Sequence, residues 1–170
     1  MVVGIIGPNA DMCPDVLYTF GVELGAALAS RGHFIVCGGE GGFMEAVCRG
    51  AKKSAQTFQG QTIGILPGHD KKQLNPYIDV PIISGLGVLR NVLIVRTADV
   101  LIAAGGGAGT LSELAFAWQL GKTVLCVPTF EGWAAELAQR PLDQRRKELF
   151  ISVTTVEEIL EKLDKFSANL

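Results

Sequence analysis

The sequence predicts an α/β domain spanning residues 1–170, a mostly parallel sheet with helices on both faces. Short apolar runs without polar alternation, such as Val2-Val-Gly-Ile-Ile6 and Asp99-Val-Leu-Ile-Ala-Ala104, have the pattern of strands buried on both faces. Segments with apolar residues at helical spacing separate these runs, and such alternation requires parallel strands joined by right-handed crossovers. Glycine loops follow the strands ending at Ile6, Cys37 and Ala104, which places all three on one edge of the sheet.

Taken in order, the first strand ends at Gly7-Pro8-Asn9-Ala10, and Pro14 suits a first helical turn. Val16, Leu17, Phe20, Leu24, Ala27 and Leu28 recur at helical spacing, with Gly32 as the stop after Arg31. His33-Phe-Ile-Val-Cys37 is a second buried strand, and His33 at its junction reads as structural. Gly38-Gly39-Glu40-Gly41-Gly42 leads into a helix carrying Phe43, Met44, Ala46, Val47 and Ala51. That loop serves either close helix–strand packing or a backbone surface for a ligand at the carboxyl edge of the sheet. Glu40 and Glu45 are acidic neighbours of any such anion site, so they are expected to face sugar or solvent.

Thr62-Ile-Gly-Ile-Leu66 is the third strand, and residues 71–76 read as an exposed, mobile loop. A short strand follows at Asp79-Val-Pro-Ile-Ile83, where Pro81 indicates an edge or irregular position. Val88, Arg90, Asn91, Val92, Ile94 and Val95 share a helix before the 99–104 strand. Beyond it lie a strand at 122–127, an amphipathic stretch from Trp133 to Leu149 broken by Pro141, and a last strand at 149–153. The final helix opens with a capping box, Thr155 to Glu158.

The organising stretch runs from Ala98 to Leu120. Its loop, Gly105-Gly106-Gly107-Ala108-Gly109, holds four glycines in five residues, and Thr110-Leu-Ser-Glu113 opens the next helix. Few β-carbons let an anionic ligand approach the backbone, while free N–H groups and the positive end of the helix dipole point at it. The plainer alternative is a tight turn with a capping box, because Thr110 and Glu113 have the S/T-x-x-E spacing. Neither G-x-G-x-x-G nor G-x-x-x-x-G-K-[ST] occurs in this loop, so the expected phosphate site is of another kind. A carboxylate ~6 Å from a phosphate charge costs roughly 3 kcal/mol at an effective dielectric of ~20. That exceeds the ~0.3–1 kcal/mol gained from the helix dipole. Glu113 is therefore expected to point at hydroxyls or to be neutralised, with Arg90 the candidate partner.

Of 170 residues, 48% are hydrophobic and 21 are glycine, above the roughly 7% average, consistent with a covered sheet and ligand loops. A net charge of −2 and 7% aromatic residues supply neither a basic field nor stacking platforms for nucleic acid. Cys13, Cys37, Cys48 and Cys126 stand singly, with Cys37 and Cys126 expected as inert core thiols in a reducing cytoplasm. No signal-peptide pattern or bilayer-length apolar run is present, which predicts a cytoplasmic location away from membranes.

Residues 105–113 resemble the P-G-G-x-G-T-x-x-E motif of the LOG-like, "lysine decarboxylase-like" Rossmann superfamily, with Gly105 where the enzymes carry proline. Gly38-Gly39-Glu40-Gly41-Gly42-Phe43-Met44 resembles its second glycine motif, and Arg90 its catalytic arginine, although Asn91 stands where the phosphoribohydrolases have lysine. Leu66-Pro67-Gly68, Asn75-Pro76-Tyr77-Ile78-Asp79-Val80-Pro81-Ile82, Leu89-Arg90-Asn91 and the triple glycine are similar to the molybdenum-cofactor carrier branch. The resemblance implies a Rossmann-like fold, a homo-oligomer (dimer or tetramer) and a phosphorylated small-molecule ligand, the molybdenum cofactor (molybdopterin) or a nucleotide-like relative. The implied binding residues are Gly7, Pro8, Gly38, Gly39, Gly41, Gly42, Met44, Arg90, Asn91, Gly105, Gly106, Gly107, Ala108, Gly109, Thr110 and Glu113; no metal-ligand set is implied. The alternative is hydrolysis of the N-glycosidic bond in a nucleoside 5′-monophosphate, with Glu113 stabilising an oxocarbenium-like ribose and Arg90 orienting it. Trp118 and Phe116 are expected to supply apolar area to a subunit contact.

Overall fold

A computed structural model describes residues 1–168. Seven strands form one parallel sheet: β1 (Val2–Ile6), β2 (Phe34–Cys37), β3 (Thr62–Leu66), β4 (Val80–Ile83), β5 (Val100–Ala104), β6 (Thr123–Val127) and β7 (Ile151–Ser152). The helices are α1 (Asp15–Ser30), α2 (Phe43–Lys53), α3 (Asn91–Thr97), α4 (Ala108–Gln119), α5 (Trp133–Leu137) and α6 (Val156–Ser167). Strand order is β4-β3-β2-β1-β5-β6-β7, and every neighbouring pair is parallel. The order reverses between β1 and β5, which are paired at Val3–Val100 through Ile6–Ala103. Chains leaving two adjacent strands in opposite directions open a crevice at that point. The expected α/β architecture, with helices on both faces, is the one observed.

Two apolar layers enclose the sheet. On one side Leu17, Leu24 and Leu28 of α1, Phe43 and Val47 of α2, and Ile159 and Leu163 of α6 pack against it. On the other, Ile94 and Val95 of α3, Leu114, Ala117 and Trp118 of α4, and Ala134 of α5 do so. Trp118 is only 2% exposed. It packs edge-on against Phe150 with ring centroids 5.6 Å apart and donates its Nε1 hydrogen to Asp143. The expectation that Trp118 serves a subunit contact is therefore corrected: its surface is spent within the protomer.

Several local expectations change. The loop at 71–76, between β3 and β4, is anchored in place of being wholly exposed and mobile. Asn75 is buried; its amide donates to the Gly39 carbonyl at 2.9 Å and its side chain to the Glu40 carbonyl at 2.9 Å. β4 is an edge strand, as Pro81 indicated. Of residues 133–149 only α5 is helical, and the last strand shrinks to Ile151–Ser152. At Thr155 half of the box forms: its hydroxyl accepts from the Glu158 amide at 3.2 Å, while the Glu158 carboxylate accepts from the Thr154 amide at 2.6 Å. The box weighed as the alternative at Thr110 does not form, because α4 starts at Ala108 and puts Thr110 inside the first turn with Gly107 as the cap.

Candidate functional site

A cleft of about 360 Å³ opens where the chains leaving β1 and β5 part. Gly7, Pro8, Asn9, Asp11 and Met12 after β1 form one wall, and Gly107, Ala108, Gly109 and Thr110 at the start of α4 form the other. Glu40, Met44, Pro67, Val88, Arg90, Asn91 and Glu113 complete the lining.

The Gly105–Gly109 loop divides its work. Gly105 and Gly106 have φ of +60° and +93°, a region open to glycine at little cost. Their carbonyls accept the amides of Ala134 and Trp133 at 3.1 and 3.0 Å, so they seat α5 and do not line the cleft. Gly107 and Gly109 face it. A β-carbon on Gly109 would meet nothing within 4 Å, and one on Gly107 would meet only Met12. The first amides of α4 have no carbonyl one turn back to bond, so they present unpaired N–H groups at the positive end of the helix. Asn91 steadies this end: its side chain donates to Ser112 Oγ at 2.8 Å and to the Gly109 carbonyl at 3.4 Å.

The second glycine loop is mainly a packing device. Gly38, Gly39, Gly41 and Gly42 lie outside the cleft lining. A β-carbon on Gly38 would fall inside the Arg90 guanidinium, so this glycine makes room for the arginine. Gly42 closes against Pro8 and Asn9, and the Pro8 carbonyl accepts the Phe43 amide at 3.1 Å. What the segment sends into the cleft is Glu40 and Met44.

Arg90 is the charged centre. It ends a short 3-10 turn ahead of α3 and is 7% exposed. One of its terminal nitrogens donates to Glu40 Oε2 at 2.6 Å, and the other stands 4.0 Å from Glu113 Oε1. Its Nε is buried without a partner among the described residues. Glu40 lines the cleft and also serves as counter-charge to the buried guanidinium. Arg90 thus stands between the two carboxylates, and Glu113 has no hydrogen-bond donor among the described residues. Burial raises its pKa from 4.5 to about 8; Arg90 opposes the rise, while Cys37 and Glu40 add to it. Behind Glu40, the Cys37 thiol sits 3.9 Å from Cys48 and accepts from the Gly39 amide at 3.4 Å. Hydrogen bonding to Cys48 lowers the Cys37 pKa against the opposing effect of burial, and the thiol is fully buried, as expected of a core cysteine.

Of the residues expected at the site, Gly7, Pro8, Met44, Arg90, Asn91, Gly107, Ala108, Gly109, Thr110 and Glu113 share the cleft. Glu40, expected beside the site, lines it too, and Asn9, Asp11, Met12, Pro67 and Val88 join them unannounced. Asn9 and Asp11 were findable, since polar residues just after a strand at the sheet's carboxyl edge are placed to meet a ligand. Among the described residues no His, Cys, Asp and Glu cluster could hold a metal, and no helix is long and apolar enough to cross a membrane.

Comparison with known proteins follows the same outline. The chain is similar over its length to the molybdenum cofactor binding protein of the phototrophic bacterium Rippkaea orientalis (30% identity, 98% of this chain and 96% of that one, TM-score 0.83). It is also similar to the molybdenum cofactor carrier protein of Chlamydomonas reinhardtii (27% identity, 98% of each chain, TM-score 0.82). An uncharacterised protein of Archaeoglobus fulgidus is 40% identical over 124 residues, covering 73% of this chain and 78% of that protein. The model of the SLOG cluster4 family (LDcluster4) matches residues 1–160. With that match and a Rossmann-like fold shared with molybdenum cofactor carriers, the chain belongs to the SLOG cluster4 family.

Proposed function

We propose that this protein binds a phosphorylated pterin, the molybdenum cofactor or a close relative, and holds it without chemical change. The observation that carries the reading is the pairing, in one cleft, of unpaired α4 amides with a buried arginine whose Nε has no partner. The amides and the open space at Gly109 suit a phosphate, while Asn91, Glu40 and Asp11 offer donors and acceptors to a polar heterocycle. A cleft of about 360 Å³ falls in the range of small-molecule sites. The likeness to two molybdenum cofactor binding proteins supports the same ligand class.

Hydrolysis of a nucleoside 5′-monophosphate asks Glu113 to face a developing oxocarbenium as an anion. Burial raises the Glu113 pKa, which disfavours the anionic form that this role asks for. Calorimetry with the molybdenum cofactor, AMP and NAD, run beside an assay for adenine release, tests the reading. The cofactor is expected to bind tightest and AMP to survive intact. Release of adenine above a no-protein control, or tighter binding of NAD, overturns it.

A further inference from the structure

The charges at the floor of the cleft do not balance. Arg90 brings one positive charge, and Glu40 and Glu113 bring two carboxyl groups, 2.6 and 4.0 Å away. The three side chains are only 8%, 16% and 8% exposed, so solvent screens them little. If both carboxylates are ionised, the cluster carries a net negative charge, and it opens into the cleft that receives an anion at α4. We propose that the cleft takes up one proton with its phosphorylated ligand, held on Glu113, so that pH governs loading and release. This rests on the reading of the cleft as an anion site.

The geometry singles out Glu113 as the proton's place. Glu40 has the short charge-assisted bond to Arg90, which compensates its charge. Glu113 has only the longer approach to the same arginine, and no N–H or O–H donates to its carboxyl among the described residues. Of the charged and titratable neighbours on the elements packed around it, Arg90 alone favours its ionised form. Cys37 at the end of β2 and Glu40 in the following loop both disfavour a second negative charge, and Arg90 is the single cation. Thr110 and Asn91 are neutral, and Asp11 across the cleft adds a further acidic group. Burial raises the Glu113 pKa to about 8, which puts the transition near physiological pH. Protonated, the carboxyl leaves the cluster neutral and becomes a hydrogen-bond donor facing the ligand. Ionised, it repels the phosphate.

Inorganic sulfate is a suitable probe, because its charge stays fixed across the range of interest. Calorimetric titration of the full chain in buffers of different ionisation enthalpy counts the protons taken up per sulfate bound. Affinity is expected to be level below pH about 8 and to fall by up to tenfold per pH unit above it. At pH 9 uptake should approach one proton. Glu113→Gln should show no uptake and, at pH 9, bind sulfate about tenfold more tightly than the wild type. Cys37→Ser should keep the uptake, which excludes the thiol as its source and decides the matter even if the glutamine variant folds poorly. Sulfate binding without proton uptake overturns this inference and leaves the anion site standing. Absence of sulfate binding at every pH overturns both.

Discussion

Glu113 shows how one side chain takes its character from the fold. In the unfolded chain its carboxyl titrates near 4.5, and in the folded protein near 8. Between those values the folded protein keeps a proton that the unfolded chain has released. Stability therefore falls as pH rises through that window, by up to ~1.4 kcal/mol per pH unit, and levels off above it. Urea unfolding from pH 5 to 9 should show this decline, and Glu113→Gln should remove it; parallel profiles for the two proteins would count against a buried, protonated Glu113. Gly38 makes a second test at this scale. Gly38→Ala places a methyl group in the Arg90 guanidinium and should cost ~1–3 kcal/mol while weakening anion binding. A variant with unchanged stability and binding would show that Arg90 has another place to go.

Among the elements, α1 and α2 are held at close range by glycines rather than by interlocking side chains. A β-carbon on Gly25 would run into the Val47 backbone, and one on Gly50 into the Val22 backbone. Helix propensity alone predicts that Gly50→Ala stabilises by ~1 kcal/mol. Backbone overlap predicts the reverse, a loss of ~1–3 kcal/mol or more, and thermal or urea unfolding decides the sign. This scale also shows what the sequence disclosed. β1, β2, β3, β5 and β6 were readable because burial on both faces leaves a continuous apolar run. The start of α4 was misplaced, because S/T-x-x-E marks a cap only where the threonine stands at the boundary. Here Gly107 takes that position, and Glu113 turns to Arg90 instead. The Arg90–Glu40 pair was hidden for a different reason. It joins residues 50 positions apart, a closeness that only the sheet order creates.

At the scale of the whole molecule, the parallel sheet does one functional job: it parts the chains after β1 and β5 and aims α4 into the gap. The strand-edge position of the glycine loops was legible from the sequence pattern, but which glycines face the cleft was not, since packing and binding both favour a missing side chain. Leu86, Val88 and Leu89 are exposed by 47%, 79% and 63%, beside the edge strand β4. Exposed apolar groups of that size motivate the expectation of a dimer or tetramer, and native mass spectrometry at micromolar concentration should show one; a monomer would contradict it. The most direct measurement of what the cleft does compares the wild type with Gly109→Val. A β-carbon at this position meets no protein atom within 4 Å, so the fold should persist. Calorimetric titration with the molybdenum cofactor should give saturable binding to the wild type and at least tenfold weaker binding to the variant. Equal affinity in both proteins would contradict an anion held at the start of α4.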